Sequence, residues 1–164
     1  PLDEGDALGA LATAHPVTFD ERGHVYIDDT DVTTAIRQVR VDQSVPAVAR
    51  HPEVRDVMRE RQRELAAEGD AVIEGRDIGT VVAPGAEVKV YLVADETVRA
   101  ARRQSERPEV GAAALATDLK LRDESDRARM QPADDAQTID TTDLGIEDVV
   151  ARIEGLVARA RSAA

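Results

Sequence analysis

The chain has 164 residues, 42% of them hydrophobic and 33% charged, and its 33 acidic against 21 basic side chains give a net charge of −12. That balance fits one folded domain with a core of its own and excludes a disordered tail. It also excludes a sequence-independent nucleic-acid surface, because phosphate backbones are held by clustered positive charge.

Cysteine is absent, so disulfides and thiolate metal sites are ruled out, and His15, His24 and His51 share no helical or strand face that would gather a metal. No apolar run reaches the roughly 18 to 20 residues that cross a bilayer, and no basic segment followed by an apolar one opens the chain. A soluble, cytoplasmic protein with no membrane partner is expected. The chain begins Pro1-Leu2-Asp3 without Met, which reads as an N-terminally truncated piece.

In chain order, Val17-Thr18-Phe19 and Val25-Tyr26-Ile27 alternate around a turn containing Gly23, which predicts a β-hairpin over about 17–27. Asp31-Val32-Thr33-Thr34 leads into a short helix at most. From Pro52 to about Ala67, Val54, Val57, Met58 and Leu65 follow helical spacing, with Pro52 suited to the first turn and Gly69 to the stop. Ala71-Val72-Ile73 and Val88–Val93 predict buried strands of a parallel sheet.

Asp95 then caps a helix running through Arg103, a second helix spans about Ala112 to Arg129, and Thr138-Ile139-Asp140 forms a third short strand. Ile146, Val149, Val150, Ile153, Leu156 and Val157 make an apolar stripe on a closing helix. A hairpin followed by alternating strands and helices predicts an α/β fold, a parallel sheet flanked by helices with an appended lobe. The expected division is a lobe at 1–50 and a core at 51–164.

Three arginine-bearing stretches are candidates for chemistry. A strand running into Gly75-Arg76-Asp77 places a guanidinium and a carboxylate where ligands gather in parallel sheets, the one suited to a phosphate and the other to an amino or hydroxyl group. An ordinary Arg–Asp pair after a strand looks the same. Arg122, Asp126 and Arg129 fall at i, i+4 and i+7, one helical face suited to a sugar phosphate, although Asp123 and Arg127 have the spacing of a plain surface pair. Arg99, Arg102 and Arg103 form a cluster that could clamp polyphosphate or simply face water. Only Lys89 and Lys120 are lysines, a bias that suits bidentate recognition and equally follows from a GC-rich coding sequence. No G-x-x-x-x-G-K-[ST] loop occurs among the 164 residues.

The run from Gly75 to Val82, GRDIGTVV, followed by Pro84 and the strand through Leu92, resembles the bacterial cytidylate kinases. Asp31–Arg37, His51-Pro52-Glu53-Val54-Arg55, Arg122–Arg129, Pro132–Ala136 and Ile139–Thr142 resemble further motifs of that family in the same order. The resemblance implies a P-loop nucleoside-monophosphate-kinase fold with a small hairpin insert that binds the monophosphate and a lid over about 102–131. It implies phosphoryl transfer from ATP, with Mg²⁺, to CMP or dCMP.

On that pattern Arg55 and Asp77 would read the cytosine edge, Arg76 and Arg129 would hold the α-phosphate, Asp126 would bind the ribose hydroxyls, and Arg102 or Arg103 would act as lid arginines. The chain departs from the family at Pro46, where a nucleobase-contacting Ser is usual unless Ser44 takes over. It departs again at Met130-Gln131, a shortened segment before Pro132. A complete member would be monomeric. A piece without the phosphate loop is expected to be inactive alone and prone to self-association, or else to serve as a non-catalytic CMP-binding fragment.

Overall fold

The structure, a computed structural model, describes residues 2–67, 69–106, 108, 111–126 and 130–163, with only the backbone described for residues 112, 114, 118, 122, 125 and 126. The chain divides into two units, Pro1–Val72 and Ile73–Ala164.

In the first unit, α1 (Gly5–Ala14) packs against α3 (Pro52–Ala67). The two backbones meet at buried Gly9, where a Cβ would stand 2.9 Å from the Cβ of Glu53, closer than any side chain allows. Buried Val54, the next residue of α3, belongs to the core of this unit. Helix α3 has the bounds its apolar spacing predicts; it packs in this unit with α1. Helix α1 was not expected, because two glycines in ten residues weaken propensity; close packing overrides that.

The hairpin forms as expected from β1 (Val17–Phe19) and β2 (Val25–Ile27), antiparallel with Val17 opposite Ile27. Asp20 organises its turn. One carboxylate oxygen accepts from the amides of Arg22 at 2.9 Å and His24 at 2.8 Å, while the other lies 2.8 Å from His24 Nδ1. Gly23 takes φ 78° there.

A third strand, β3 (Thr30–Asp31), adds to β2 where the sequence suggested only a lead into a helix. Asp28 and Asp29 adopt φ 49° and 61°, a left-handed pair that turns the chain back at once. The short helix follows as a 3₁₀ turn at Ala35–Arg37, and an unexpected α2 (Val39–Ala49) carries Pro46 in its interior. Arg61 of α3 donates through Nε to the Val17 carbonyl at 3.2 Å, which ties the sheet to the helix.

The second unit is built on two parallel strands, β4 (Val90–Val93) and β5 (Gln137–Asp140), in register Val90 to Gln137 through Val93 to Asp140. Between them run α4 (Glu96–Glu106) and α5 (Ala112–Asp126), which pack on each other; α6 (Ile146–Ala163) closes the chain. Among the described residues of this unit, Val82, Leu115, Ile139 and Thr141 are buried.

The strand expected at Ala71-Val72-Ile73 does not form: these residues are irregular and Val72 is 100% exposed. Three residues cannot hold a ladder without a neighbour, and no described strand lies alongside. The apolar stripe of α6 is half-buried at Val149, Ile153, Leu156 and Val157, whereas Ile146 and Val150 are exposed. Among the described residues no helix is long and apolar enough to cross a membrane.

Candidate functional site

The segment after Ile73 forms an unusually wide helical turn at Ile78–Val82. The Asp77 carbonyl accepts from the amides of Val81 at 2.8 Å and Val82 at 3.3 Å and from the Thr80 hydroxyl at 3.4 Å, and the Ala83 amide donates to the Ile78 carbonyl at 2.7 Å. Gly75 precedes this turn because a Cβ there would come within 2.8 Å of Ile78 Cγ1. The glycine and the isoleucine of the motif are thus one steric fit, and together they fix the backbone that presents Arg76, exposed, and Asp77, half-buried.

A second group of side chains gathers at the carboxyl ends of β4 and β5, where parallel sheets place their ligands. Buried Thr141 donates its hydroxyl to the Val93 carbonyl at 3.0 Å, and the Thr142 hydroxyl accepts from the Asp95 amide at 3.0 Å. Arg102 reaches this corner from α4, donating to Thr141 Oγ1 at 2.9 Å, to the Thr141 carbonyl at 2.6 Å and to the Leu144 carbonyl at 3.2 Å. Donors from Thr142, its side chain first and its amide second, hold the carboxyl of Asp140 below its ordinary 3.8.

On α4, Arg99 joins the two helices through Asp123 at 2.7 Å and donates through Nε to the Ala94 carbonyl at 3.2 Å. The predicted cap is present only in part: the Asp95 carbonyl accepts the Arg99 amide at 3.0 Å. Arg103 pairs with Glu106 at 3.0 Å in an exposed pair one helical turn apart.

The predicted residues are distributed as follows. Arg55 is half-buried on α3 of the first unit, with its amide on the His51 carbonyl at 3.1 Å. Arg76, Asp77, Arg102 and Arg103 belong to the second unit, the first two adjacent on one turn and the last two adjacent on α4. Asp126 ends α5, its side chain outside the described residues, as is Arg129 entirely. Ser44 donates to the Arg40 carbonyl at 2.8 Å on α2, two residues before Pro46.

Sequence reasoning missed Lys89, Tyr91 and Asp135. Lys89 Nζ lies 2.9 and 2.7 Å from the two carboxylate oxygens of Asp135, and Tyr91 Oη donates to the Met130 carbonyl at 2.9 Å. One signal was available: a lysine entering an apolar strand, in a chain with only one other lysine, Lys120. Among the described residues no three His, Asp or Glu side chains converge in a way that could hold a metal.

A family model described as Cytidylate kinase matches residues 1–159. A protein named Cytidylate kinase from Lactiplantibacillus plantarum is 41% identical over 146 residues, covering 84% of this chain and 64% of that protein. Proteins of the same name from two Streptococcus pneumoniae strains, Hungary19A-6 and serotype 19F G54, are 40% identical over 165 residues, covering 93% of this chain and 74% of each. The chain thus spans about two-thirds to three-quarters of the curated relatives it matches.

Proposed function

The chain belongs to the cytidylate kinase family, and from that premise we propose that it carries the acceptor side of a kinase moving the γ-phosphoryl group of ATP to CMP or dCMP. The observation that carries this reading is the Gly75–Val82 turn, whose backbone is fixed by the fit of Gly75 on Ile78 and by three donors on the Asp77 carbonyl. A turn so constrained gives Arg76 and Asp77 a defined starting geometry, which a binding residue needs and a casual surface pair does not.

In this reading Arg76 and Arg129 hold the α-phosphate, Arg55 and Asp77 face the cytosine edge, and Asp126 takes the ribose hydroxyls. The acceptor oxygen belongs to a phosphate already largely dianionic at neutral pH, so no base has to remove a proton from it. What the protein must supply is positive charge to offset the repulsion between that phosphate and the incoming one. Of the two lid arginines, Arg103 has the pairing that supports such a role, because an exposed pair with Glu106 exchanges at little cost. Arg102 is engaged by three oxygens at the strand ends and positions α4.

The lobe at 1–50, the core at 51–164 and the lid over about 102–131 belong to the same reading. Mg²⁺ would arrive on the phosphates of ATP, as it commonly does; the described carboxylates do not form a cage for it, and no step here is routed through the ion. The 164 residues contain no G-x-x-x-x-G-K-[ST] motif to cradle the ATP phosphates, so the test is nucleotide binding and not turnover.

Calorimetric titration with CMP, with AMP and UMP as controls, should give saturable binding to CMP alone. Arg76→Ala should weaken it by about 10-fold or more, the loss expected when a charge-assisted hydrogen bond to phosphate is removed. No heat with CMP from a chain that circular dichroism shows to be folded, or equal binding of all three nucleotides, overturns the reading.

A further inference from the structure

Lys89 and Tyr91 are two residues apart on extended chain, so their side chains leave the same face of the strand. Both end on the segment that leads from α5 to β5. Tyr91 holds it at the Met130 carbonyl, and Lys89 holds it near its end through Asp135. Lys89 also donates to the Pro84 carbonyl, and its stem lies over Gly79, where a Cβ would be 3.5 Å from Lys89 Cδ and 3.7 Å from Ala133. One short stretch of strand therefore fastens two pieces of chain, the turn that follows Arg76 and Asp77 and the segment that starts one peptide after Arg129.

We propose that Lys89 and Tyr91 are positioning residues, which hold the turn after Arg76 and Asp77 against the segment from Met130 to Asp135 and so keep Arg76 and Asp77 in the geometry that receives the nucleotide. The role rests on the reading of Arg76 and Asp77 given above. Lys89 is not itself a phosphate ligand: its side chain is 8% exposed, and its three N–H donors face three acceptors, the Pro84 carbonyl and the two Asp135 oxygens. Asp135 answers in kind, its carboxyl lowered below 3.8 chiefly by the bond from Lys89. The Tyr91 hydroxyl is likewise committed to a backbone carbonyl, so phenylalanine keeps the packing of the ring and removes only the tie.

The test uses Tyr91→Phe, Lys89→Met, Asp135→Asn and Asp135→Glu in the whole chain, with calorimetry against CMP and amide hydrogen exchange. Tyr91→Phe and Lys89→Met should each weaken CMP binding by about 5- to 10-fold, the value of one or two hydrogen bonds. Exchange should quicken at 130–136 and stay unchanged in the first unit. Asp135→Asn should behave like Lys89→Met, and Asp135→Glu, which keeps the ion pair, should recover the affinity.

Faster exchange at 130–136 with unaltered CMP affinity would mean that these residues are merely structural, and the role is withdrawn. Unaltered exchange in Tyr91→Phe overturns it whatever the parent chain binds. If the parent itself does not bind CMP, the nucleotide reading fails and this role falls with it, whereas a binding parent with insensitive variants sinks this role alone.

Discussion

The two units differ in how far their sheets must reach to close. In Pro1–Val72 α1 packs closely against α3 at Gly9, and the turns of the sheet are held by side chains that bond within a few residues of themselves, while Arg61 makes one long reach to Val17. In Ile73–Ala164 the strands pair across the whole α4–α5 excursion, and Lys89, Tyr91 and Arg102 each reach across dozens of residues. The first design leaves no space for a side chain at one glycine. The second tolerates local change but depends on a few long reaches.

The comparison breaks most sharply at Ile139. It is 6% exposed at the centre of the β4–β5 pair, and Ile139→Ala should cost about 2–4 kcal/mol in denaturant unfolding of the second unit. Exchange of the hairpin amides of the first unit should be unaffected. A loss below about 1 kcal/mol would mean that the parallel pair is not the core of its unit.

The mirror-image test is Gly9→Val. The new Cβ meets the Cβ of Glu53, an atom rooted to its own helix and unable to swing away, so overpacking outweighs the helix propensity gained on replacing glycine. A loss of about 2 kcal/mol is expected, read as faster exchange in α1 and α3 with β4 and β5 unchanged. Neutrality would show that the helices can separate freely.

The smallest effect is on pH. Asp20 and Asp31 in the first unit and Asp135 in the second all titrate below 3.8, the first chiefly through the amide of His24, the second through the donors of Thr33 and the third through Lys89. A carboxyl lowered by folding contributes stability that is present above its unfolded value, near 3.9, and is lost as pH falls through the lower folded value. Both units should therefore be indifferent between pH 5 and 7 on this account and loosen below about pH 4. Asp20→Asn should blunt the acid loss only at the hairpin amides, and a blunting that extended to β4 would erase the distinction between local and distant ties.

What was legible in the sequence follows the same division. The hairpin, α3, β4 and β5 were readable because alternation, helical spacing and turn residues are local signals, and α6 announced itself by a stripe. Helix α1 was not: Gly5 and Gly9 lower propensity and yet are one turn apart on the face that meets α3, so their meaning lies in a partner some 45 residues away. The strand at Ala71–Ile73 was predicted from three apolar residues, but a buried strand is defined by its neighbours and not by its own composition.

In the candidate site, Arg76 and Asp77 stood out because the motif around them is contiguous. Lys89, Tyr91 and Asp135 did not, because the chain spacing between the partners carries no local pattern. Arg102 and Arg103 looked equivalent in sequence, and only the position of Thr141 and Leu144 separates them.

The parallel pairing of β4 with β5 also sets an order of events during synthesis. Every element of the first unit has been made before β4 emerges, and its antiparallel sheet closes with turns of a few residues. Val90–Val93 must then wait for the strand it pairs with until the chain has been extended through α4 and α5 to Gln137. At ordinary translation rates that interval lasts seconds, long compared with the time in which strands find partners. The nascent chain is most vulnerable to misassociation in that window.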